Sequence, residues 1–430
     1  MTCLPDADKI AVIGLGFVGL TTAVGLAEKT GLAVVGYDCD AARSAQIRAG
    51  QLPFVEPGLD AALVRQLGSG FTVVDSLAAA VADATVVFLC VGTPCGEDSR
   101  ADLSELSAAL AEIRPLAGSG GFKTIVVKST VPPRSADELL IPLLTADGLE
   151  LGRDVGYASN PEFLREGHCW PDFIYPDRIV IGCHDEVSRA ALTRIYQPFA
   201  APMLFMEPAT AEFVKYLSNT LLATMISYAN EMDAIAAALG GIDVDAAFAA
   251  LHLDRRWALP AGGGGDGGGC ESLAAASMAS YVLPGTGFGG YCLPKDTQAL
   301  AASARSAGVA PEILEAVLAV NDRARTRRAL SIIQRCSSPD SVIGLYGLSF
   351  KPGSDDVRDS PAAAIIGCLL EQGYHNIIVF DPLAMDAFRA AYHLPVRYAA
   401  SVAELLRSCE VVDAIKGDFA GASDDSEAAG

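Results

Sequence analysis

The chain has 430 residues, enough for two or three domains, and 51 % of them are apolar, which excludes general disorder. Its formal net charge of −21 argues against binding to nucleic acid or to an anionic membrane. No apolar run has the form of a membrane span, and the first residues lack a signal-peptide layout. The eleven cysteines form no Cys-x-x-Cys pair, so we expect reduced thiols in the cytoplasm and no metal site.

The N-terminal part of the chain alternates short β-branched runs with Ala/Leu-rich stretches typical of helices. The predicted strands are residues 10–13, 33–37, 85–89 and 124–128. This alternation predicts an α/β fold with a parallel, doubly wound sheet.

A glycine-rich turn follows the first predicted strand. Gly14, Gly16 and Gly19 have the spacing Gly-x-Gly-x-x-Gly, and Asp38 ends the second strand. With the strand, the helix and the acid in register, this pattern predicts a dinucleotide with its pyrophosphate at the helix N-terminus. The charge of Asp38 would repel a 2′-phosphate and favours NAD over NADP, although nearby Arg43 weakens that preference. The alternative is a tight turn that binds no ligand.

Two later strands end in small and hydroxyl residues. VGTP at 91–94 contains Thr93, and KSTVP at 128–132 contains Thr130. Strand ends are where open α/β sheets bind ligands, so these segments could line the nicotinamide end of a cofactor. The alternative is that both segments simply end strands.

Two acids, Glu162 and Glu166, lie four residues apart in SNPEFLREG at 159–167. On a helical turn they would share a face, where one could order water and the other contact the nicotinamide side of a bound cofactor. The alternative is a solvated helix start with ordinary acids.

Residues 210–239 contain neither glycine nor proline and predict one long helix, which could carry a dimer contact. Lys215 and Asn219 would share a face of this helix, where an ammonium and an amide could hold a substrate oxygen during hydride transfer. A surface lysine is the alternative. Residues 262–269 hold seven glycines around Asp266 and predict a flexible loop without chemistry.

Cys292 lies in GFGGYCLPKD at 287–296, between a glycine turn and a Pro-Lys-Asp segment typical of a helix start. A helix N-terminus and the ammonium of Lys295 would both stabilise a thiolate, as a nucleophilic cysteine requires. The glycines allow a backbone or a ligand to approach closely. The alternative is an inert, buried cysteine.

From Ser341 the strand–helix alternation returns, with predicted strands at 342–346 and 376–380 and a helix at 361–370. Lys351 and Arg358 follow the first of these strands, where a second nucleotide could bind. The alternative is a loop closed by ion pairs to Asp355 and Asp356.

In their order along about residues 8–415, these motifs resemble the UDP-glucose/GDP-mannose dehydrogenase family, and GFGGYCLPKD is the most specific of them. The resemblance implies two Rossmann-like, doubly wound α/β domains joined by a long central helix and a helical dimerisation region. The implied domains are an NAD-binding domain (1–205), a central dimerisation domain with the cysteine loop (206–325) and a C-terminal UDP-binding domain (326–430). A homodimer and service in polysaccharide biosynthesis are also implied.

The reaction implied by the resemblance is a four-electron oxidation of the C6 hydroxyl of a nucleotide sugar, with UDP-glucose expected, through a thiohemiacetal and a thioester. The implied catalytic residues are Cys292, Lys215, Asn219, Asp296, Glu162 and Thr130. The residues implied in NAD binding are Gly14, Gly16, Val18, Gly19, Asp38, Arg43, Thr93, Thr130, Glu166, Lys295 and Arg358. Those implied in substrate binding are Glu162, Phe163, Leu164, Lys215, Asn219, Tyr281, Gly285, Gly289 and Lys351.

The chain departs from the family before the glycine turn, where many members carry Arg-Ile-Gly and residues 276–280 here read ASMAS. Arg255 or Arg256 could replace that arginine, which reaches the neighbouring subunit's substrate. The departure leaves GDP-mannose or a UDP-N-acetylhexosamine as alternative substrates.

The motifs are also compatible with a one-step hydroxyacid or 6-phosphogluconate-type dehydrogenase and with a non-catalytic nucleotide-sugar binder. Cys292 and the second α/β domain favour the two-step oxidation over a one-step reaction.

Overall fold

The structure is a computed structural model that describes residues 9–96, 98–118, 121–254 and 278–415. The chain divides into two compact units, Met1–Leu217 and Ser218–Gly430. Arg255, Arg256 and the glycine-rich segment at 262–269 lie outside the described residues. The division into three domains at 1–205, 206–325 and 326–430 therefore stays a prediction.

One mixed sheet forms the centre of the first unit. Its strands are β1 (Ile10–Ile13), β2 (Val34–Tyr37), β3 (Phe71–Val73), β4 (Val86–Leu89), β5 (Lys123–Val127), β6 (Val155–Ser159), β7 (Ile179–Cys183) and β8 (Met203–Met206). The strand order is β3-β2-β1-β4-β5-β6-β7-β8, and all neighbours run parallel except β6 and β7. The chain changes direction across the sheet between β1 and β4, which is where open α/β sheets bind ligands.

Helices cover both faces of this sheet. They are α1 (Phe17–Thr30), α2 (Ala41–Arg48), α3 (Leu59–Gln66), α4 (Leu77–Val81), α5 (Ser104–Ala117), α6 (Ile141–Leu144), α7 (Cys169–Ile174) and α8 (Glu186–Tyr196). Along β1, Ile10 and Val12 pack into one apolar cluster while Ala11 and Ile13 pack into another. Because successive side chains point to opposite faces, the fully apolar strand has a core on each side. The predicted doubly wound fold is confirmed.

A single long helix, α9 (Pro208–Leu239), follows the sheet. Its 32 residues correspond to about 48 Å. Proline is favoured at the start of a helix, and Gly240 and Gly241 end it with φ values of +72° and +70°. The predicted helix at 210–239 is confirmed, with two more residues at its start. In the described residues, no helix combines the length and the apolar character needed to cross a bilayer.

The second unit contains a smaller, fully parallel sheet. Its strands are β9 (Ile343–Tyr346), β10 (Ile377–Phe380), β11 (Arg397–Tyr398) and β12 (Val411–Ala414). Its helices are α10 (Val244–His252), α11 (Cys292–Ser306), α12 (Glu312–Ile333), α13 (Pro361–Glu371), α14 (Met385–Ala391) and α15 (Val402–Ser408). The strand order is β11-β10-β9-β12, with apolar clusters on both faces. The predicted return to α/β structure is confirmed.

The predicted strands agree with the observed ones to within one residue at each end. Strands β3, β6, β7, β8, β11 and β12 were not among the predicted elements. The sequence of β7, IVIGC, is a β-branched apolar run that could have indicated it. Strand β6 reads VGYAS and has no such run, so its strand character depends on pairing with β5 and β7.

The glycines of the turn between β1 and α1 have different structural tasks. Gly14 has a φ of +88°, and a Cβ there would lie 2.8 Å from the Cys90 carbonyl oxygen. A Cβ at Gly19 would lie only 1.7 Å from the carbonyl oxygen of Gly14. A Cβ at Gly16 would meet no atom within 4 Å. The fold itself therefore requires glycine at 14 and 19, whereas position 16 has open space.

We expect Gly19→Ala to lower the free energy of unfolding by about 1–3 kcal/mol, because the added methyl group forces the turn and α1 apart. The matched control, Gly16→Ala, should cost no more than about 1 kcal/mol, the usual penalty for alanine at a helix N-cap. Urea unfolding followed by circular dichroism measures both values. Equal losses in the two variants would contradict the clash at position 19.

Candidate active site

Asp38 at the end of β2 is fixed by its own chain and only 6 % exposed. Its Oδ2 accepts the Leu15 N–H at 2.6 Å and its Oδ1 accepts the Asp40 N–H at 2.8 Å. Arg43 lies 3.0 Å from Asp38 Oδ2 and 3.7 Å from an oxygen of Asp40. Arg43 is thus already paired with two carboxylates, and its charge is not left over for the 2′-phosphate of NADP. The arrangement therefore favours NAD.

The turn that precedes α1 has space where the sequence predicts a pyrophosphate. Gly16 is the N-cap of α1, and the position of its absent Cβ faces open space. Val18, in the first turn of the helix, is half-buried. The backbone N–H groups at a helix N-terminus attract anions, so the turn can hold a diphosphate.

The two predicted strand-end loops lie side by side, after β4 and β5. The Thr93 hydroxyl donates to the carbonyl oxygen of Thr130 at 2.8 Å. The Ser129 hydroxyl donates to the carbonyl oxygen of Val91 at 2.7 Å. These bonds hold Thr130 at the sheet edge, next to the β1–β4 switch point.

Glu162 and Lys215 form a buried ion pair in the first unit. Lys215 Nζ lies 2.8 Å from Glu162 Oε1, and the two side chains are 4 % and 7 % exposed. The other carboxylate oxygen accepts the Leu164 N–H at 2.6 Å. Burial raises the pKa of Glu162, but Lys215 and these hydrogen bonds outweigh it and leave the pKa below its ordinary value. The carboxylate is therefore ionised, and it fixes the ammonium beside the Phe163 ring, 5.5 Å from its centroid.

The prediction that Glu162 and Glu166 share a helical face is wrong. Residues 161–165 form no helix, and α7 begins only at Cys169. Pro161 disfavours helical backbone at Asn160, and the Glu162 side chain binds the N–H of Leu164 instead. Glu166 lies farther along, in a turn, and is half-buried.

Sequence reasoning missed a buried polar pair behind Glu162. Lys128 Nζ donates to Asn160 Oδ1 at 3.1 Å, and Asn160 Nδ2 donates to the Val180 carbonyl oxygen at 2.8 Å. Burial lowers the pKa of Lys128 to about 8, against the opposing effects of Cys90 and Glu162. Lys128 begins the KSTVP segment and Asn160 lies in the SNPEF segment. A polar residue at the end of each strand was therefore the signal that could have indicated this pair.

Cys292 is the first residue of α11 in the second unit and is half-buried. Asp296, one turn farther on, is fully buried, and its Oδ2 accepts the Asn219 side-chain amide at 2.6 Å. Lys295 Nζ lies 2.7 Å from the other oxygen of Asp296. Because residues four apart lie on one face of a helix, the thiol and the carboxylate project from the same face of α11. The predicted helix start at Pro-Lys-Asp is confirmed, with Cys292 already in the first turn.

The glycines before Cys292 are explained by close packing of backbone on backbone. A Cβ at Gly289 would lie 2.4 Å from the Asp359 carbonyl oxygen, and the Gly290 N–H donates to the Arg358 carbonyl oxygen at 2.9 Å. Arg325 donates to the Phe288 carbonyl oxygen at 2.7 Å and pairs with Asp359. This loop is thereby tied to the loop that follows β9.

Two cations flank the ring of Tyr291, the residue before the cysteine. Arg358 lies 4.5 Å and Lys295 5.5 Å from the ring centroid. Arg358 also pairs with Asp356 at 2.6 Å, so the ion-paired loop considered for this segment is present. Lys351 lies in the same loop and is half-buried.

The remaining predicted substrate residues lie in the segment before the glycine turn. Tyr281 ends a short helical turn, Met278–Tyr281, and the Gly285 N–H donates to Asn230 Oδ1 of α9 at 2.9 Å. The structure thus places Cys292, Asp296, Asn219 and Arg358 within one unit and Glu162, Thr130 and Asp38 within the other.

Comparisons with known proteins agree with these features. Models of the UDP-glucose/GDP-mannose dehydrogenase family match in three parts: the NAD binding domain at 8–200, the central domain at 209–323 and the UDP binding domain at 344–415. A UDP-glucose 6-dehydrogenase of Pseudomonas aeruginosa is 37 % identical, over 89 % of this chain and 81 % of its own. A GDP-mannose 6-dehydrogenase of the same organism is 34 % identical, over 87 % and 81 %.

A solved structure agrees over nearly the full length. The UDP-glucose dehydrogenase of the archaeon Pyrobaculum islandicum matches with a TM-score of 0.86 and 38 % identity, over 96 % of this chain and 91 % of that one. With three consecutive family models and relatives above 30 % identity, this chain belongs to the UDP-glucose/GDP-mannose dehydrogenase family of NAD-dependent nucleotide-sugar dehydrogenases.

Proposed function

We propose that this protein oxidises UDP-glucose to UDP-glucuronate and consumes two NAD for each sugar. The observation that carries the proposal is Cys292 in the first turn of α11, with the buried Asp296 one turn farther on. A nucleophile and a carboxylate on one helix face can carry an aldehyde to an acid. A one-step alcohol oxidation has no use for the thiol.

The residues of the first unit fit an NAD molecule. The open space at Gly16 and the helix N-terminus suit the pyrophosphate, and Asp38 suits the adenosine ribose. Thr93 and Thr130, at the ends of adjacent strands, border the position expected for the nicotinamide. A bound NAD would supply the hydride acceptor for each of the two oxidations.

In the first oxidation, the C6 alcohol loses a hydride and a proton and becomes an aldehyde. Lys215 and Asn219 project from one face of α9 because they are four residues apart. We infer that they hold the C6 oxygen. An ammonium and an amide stabilise the negative charge that develops on this oxygen. Asp296, which is fixed by Asn219 at 2.6 Å, accepts the proton.

In the second oxidation, the Cys292 thiolate adds to the aldehyde carbon and forms a C–S bond, giving a thiohemiacetal. This intermediate loses its hydroxyl proton and the second hydride and becomes a thioester. Water then adds to the thioester carbon, and the C–S bond breaks to release the carboxylate and the thiol. Glu162 and Thr130, which lie at the strand ends of the first unit, order this water.

We also propose a homodimer built on α9. Along this helix Leu221, Tyr228 and Ile235 recur every seven residues and are 47 %, 51 % and 46 % exposed. Tyr228 and Ile235 also line an apolar groove of about 250 Å³, whose other wall includes Phe248 of α10. An exposed apolar row with this spacing matches the packing seam of paired helices, so a second copy of the chain is its partner.

The predicted domains at 1–205, 206–325 and 326–430 are retained as part of the proposal, supported by the overlapping family models at 8–200, 209–323 and 344–415. Arg255 or Arg256 keeps the proposed task of contacting the neighbouring subunit's substrate. We assign the enzyme to the cytoplasm, where NAD and nucleotide sugars are available together.

Incubation with NAD and a panel of UDP- and GDP-sugars tests the reaction. We expect two NADH for each UDP-glucose consumed, with UDP-glucuronate identified by mass spectrometry. One NADH per sugar with an aldehyde product would contradict the two-step mechanism. Turnover of GDP-mannose or a UDP-N-acetylhexosamine in preference to UDP-glucose would reassign the substrate.

Replacement of the nucleophile tests the covalent step. We expect Cys292→Ala to reduce acid formation by more than about 1000-fold, as loss of a nucleophile does in other enzymes. NAD affinity, measured by titration calorimetry, should be unchanged because Cys292 is not among the residues assigned to NAD binding. The matched control is Cys368→Ala, which removes a half-buried thiol of α13 and should keep native activity. Acid formation at near the native rate would remove Cys292 from the mechanism.

A charge in the apolar row tests the dimer. We expect the native chain to have twice its mass of 44.6 kDa in light scattering after gel filtration. Ile235→Glu buries a charge at the interface and should weaken association at least about tenfold. Leu383→Glu is the control, because Leu383 is equally exposed, at 46 %, but lies outside α9. A monomeric native chain would rule out the homodimer.

A further inference from the structure

Glu212 is a buried acid of α9 to which the mechanism above assigns no task. It lies one turn before Lys215 and is only 3 % exposed. Its Oε1 accepts the Ala136 N–H at 2.9 Å and the Ser159 hydroxyl at 3.3 Å. Ala136 begins the π-helical segment after the Thr130 loop, and Ser159 ends β6. One oxygen therefore connects α9 to the start of the π-helical segment and to the end of β6.

Glu212 also lines a small cavity. Within the described part of the chain, Oε2 has no hydrogen-bond partner although it is fully buried. The cavity has a volume of about 10 Å³, and its polar lining comes from Glu212, Ser129, Thr130, Ser159 and Lys215. A space of this size holds about one water, which needs two to four polar partners. Carboxylate, hydroxyl and ammonium groups supply them here.

We propose that Glu212 and a single water in this cavity form a positioning unit that fixes the Thr130 loop to the turn of α9 that carries Lys215. The water accepts from or donates to Glu212 Oε2 and the surrounding hydroxyls. The loop is then held on both sides, by Thr93 at the Thr130 carbonyl oxygen and by Glu212 at the Ala136 N–H. Its effect on turnover rests on the proposed function, in which Thr130 and Lys215 serve the sugar.

The electrostatic setting of Glu212 suits a carboxyl group that shares a water. Burial raises its pKa to about 7, against the hydrogen bonds that Ala136 and Ser159 donate. The charged and titratable groups that face it from neighbouring elements are Asp137 on the π-helical segment, Tyr157 on β6 and Lys215 on α9 itself. Asp137 is in turn bound by His184 at 3.1 Å. Near neutral pH the water can therefore bind the carboxylate or the carboxylic acid.

An apolar side chain at 212 could not replace this arrangement. It would leave the Ala136 N–H and the Ser159 hydroxyl buried without their acceptor, and such groups are costly to bury unpaired. Glutamine keeps an acceptor oxygen and the size of the side chain, but it removes the charge and replaces one oxygen with an amide nitrogen. Glu212→Gln is therefore the variant that separates the water site from simple packing.

Activity is the first readout. We expect Glu212→Gln to lower kcat between about 10- and 100-fold, with the KM for NAD changed less than about twofold, because a displaced loop misaligns reacting groups without touching the dinucleotide turn. The matched control is Glu207→Gln, five residues earlier with a side chain that is 72 % exposed, which should keep native kcat. A kcat for Glu212→Gln within twofold of native between pH 6 and 9 overturns the positioning role.

Unfolding measurements test the buried carboxyl without any activity. Because its folded-state pKa is raised from 4.5 to about 7, its contribution to stability is complete below pH 4.5 and is lost as the pH rises through about 7. The stability of Glu212→Gln relative to the native chain should therefore increase from pH 4.5 to 7 and stay level above it. A constant difference across this range overturns the assignment.

A crystal structure of the native protein tests the water directly. We expect one ordered water within hydrogen-bond distance of Glu212 Oε2 and of Thr130 or Ser159, and an empty cavity overturns the site. The unfolding measurements and the crystal structure test the water site even if UDP-glucose is not the substrate. If turnover of UDP-glucose is as proposed and both readouts fail, the inference falls while the function stands.

Discussion

The compensation of buried charge constrains the edge of the large sheet more than any other feature. Lys128, Lys215, Glu162 and Glu212 are each only 3–7 % exposed and gather at the ends of β5 and β6 and on α9. Lys215 pairs with Glu162, whereas Lys128 and Glu212 are compensated by hydrogen bonds to other polar groups. Removal of one partner from a buried pair typically costs about 3–5 kcal/mol, because the other charge is left uncompensated. The strand-end loops therefore depend on the Glu162–Lys215 pair being complete.

These four groups divide into two kinds. Lys215 and Glu162 pair directly at 2.8 Å, and the pair keeps the carboxyl ionised. Lys128 and Glu212 bind mainly backbone and neutral groups, and burial draws their pKa values toward neutrality, to about 8 and about 7. Glu162 therefore stays ionised beside Lys215, whereas the pKa values of Lys128 and Glu212 lie close enough to neutrality for either group to change its protonation state.

The parts of the fold that follow from local sterics could be predicted from the sequence. The glycine turn after β1, the end of α9 at Leu239 and the helix start at Cys292 are set by residues close together in the chain. Local spacing also suggested a helical face for Glu162 and Glu166, where the backbone after Pro161 is in fact not helical. Glu212 gave no signal at all. Nothing in a helical pattern tells a buried acid from an exposed one when its partners, Ala136 and Ser159, lie far away in the sequence.

The helix α9 has a further consequence for how sequences of this kind can vary in length. Glu212, Lys215 and Asn219 occupy successive turns of one uninterrupted helix. Each inserted residue would rotate everything beyond it by about 100° and shift it by about 1.5 Å along the axis. An insertion or deletion between 212 and 219 would therefore turn the ammonium or the amide away from its partners, even if every side chain were retained. Length changes can be accommodated in the surface loops, whereas this interval is closed to them by helix geometry alone.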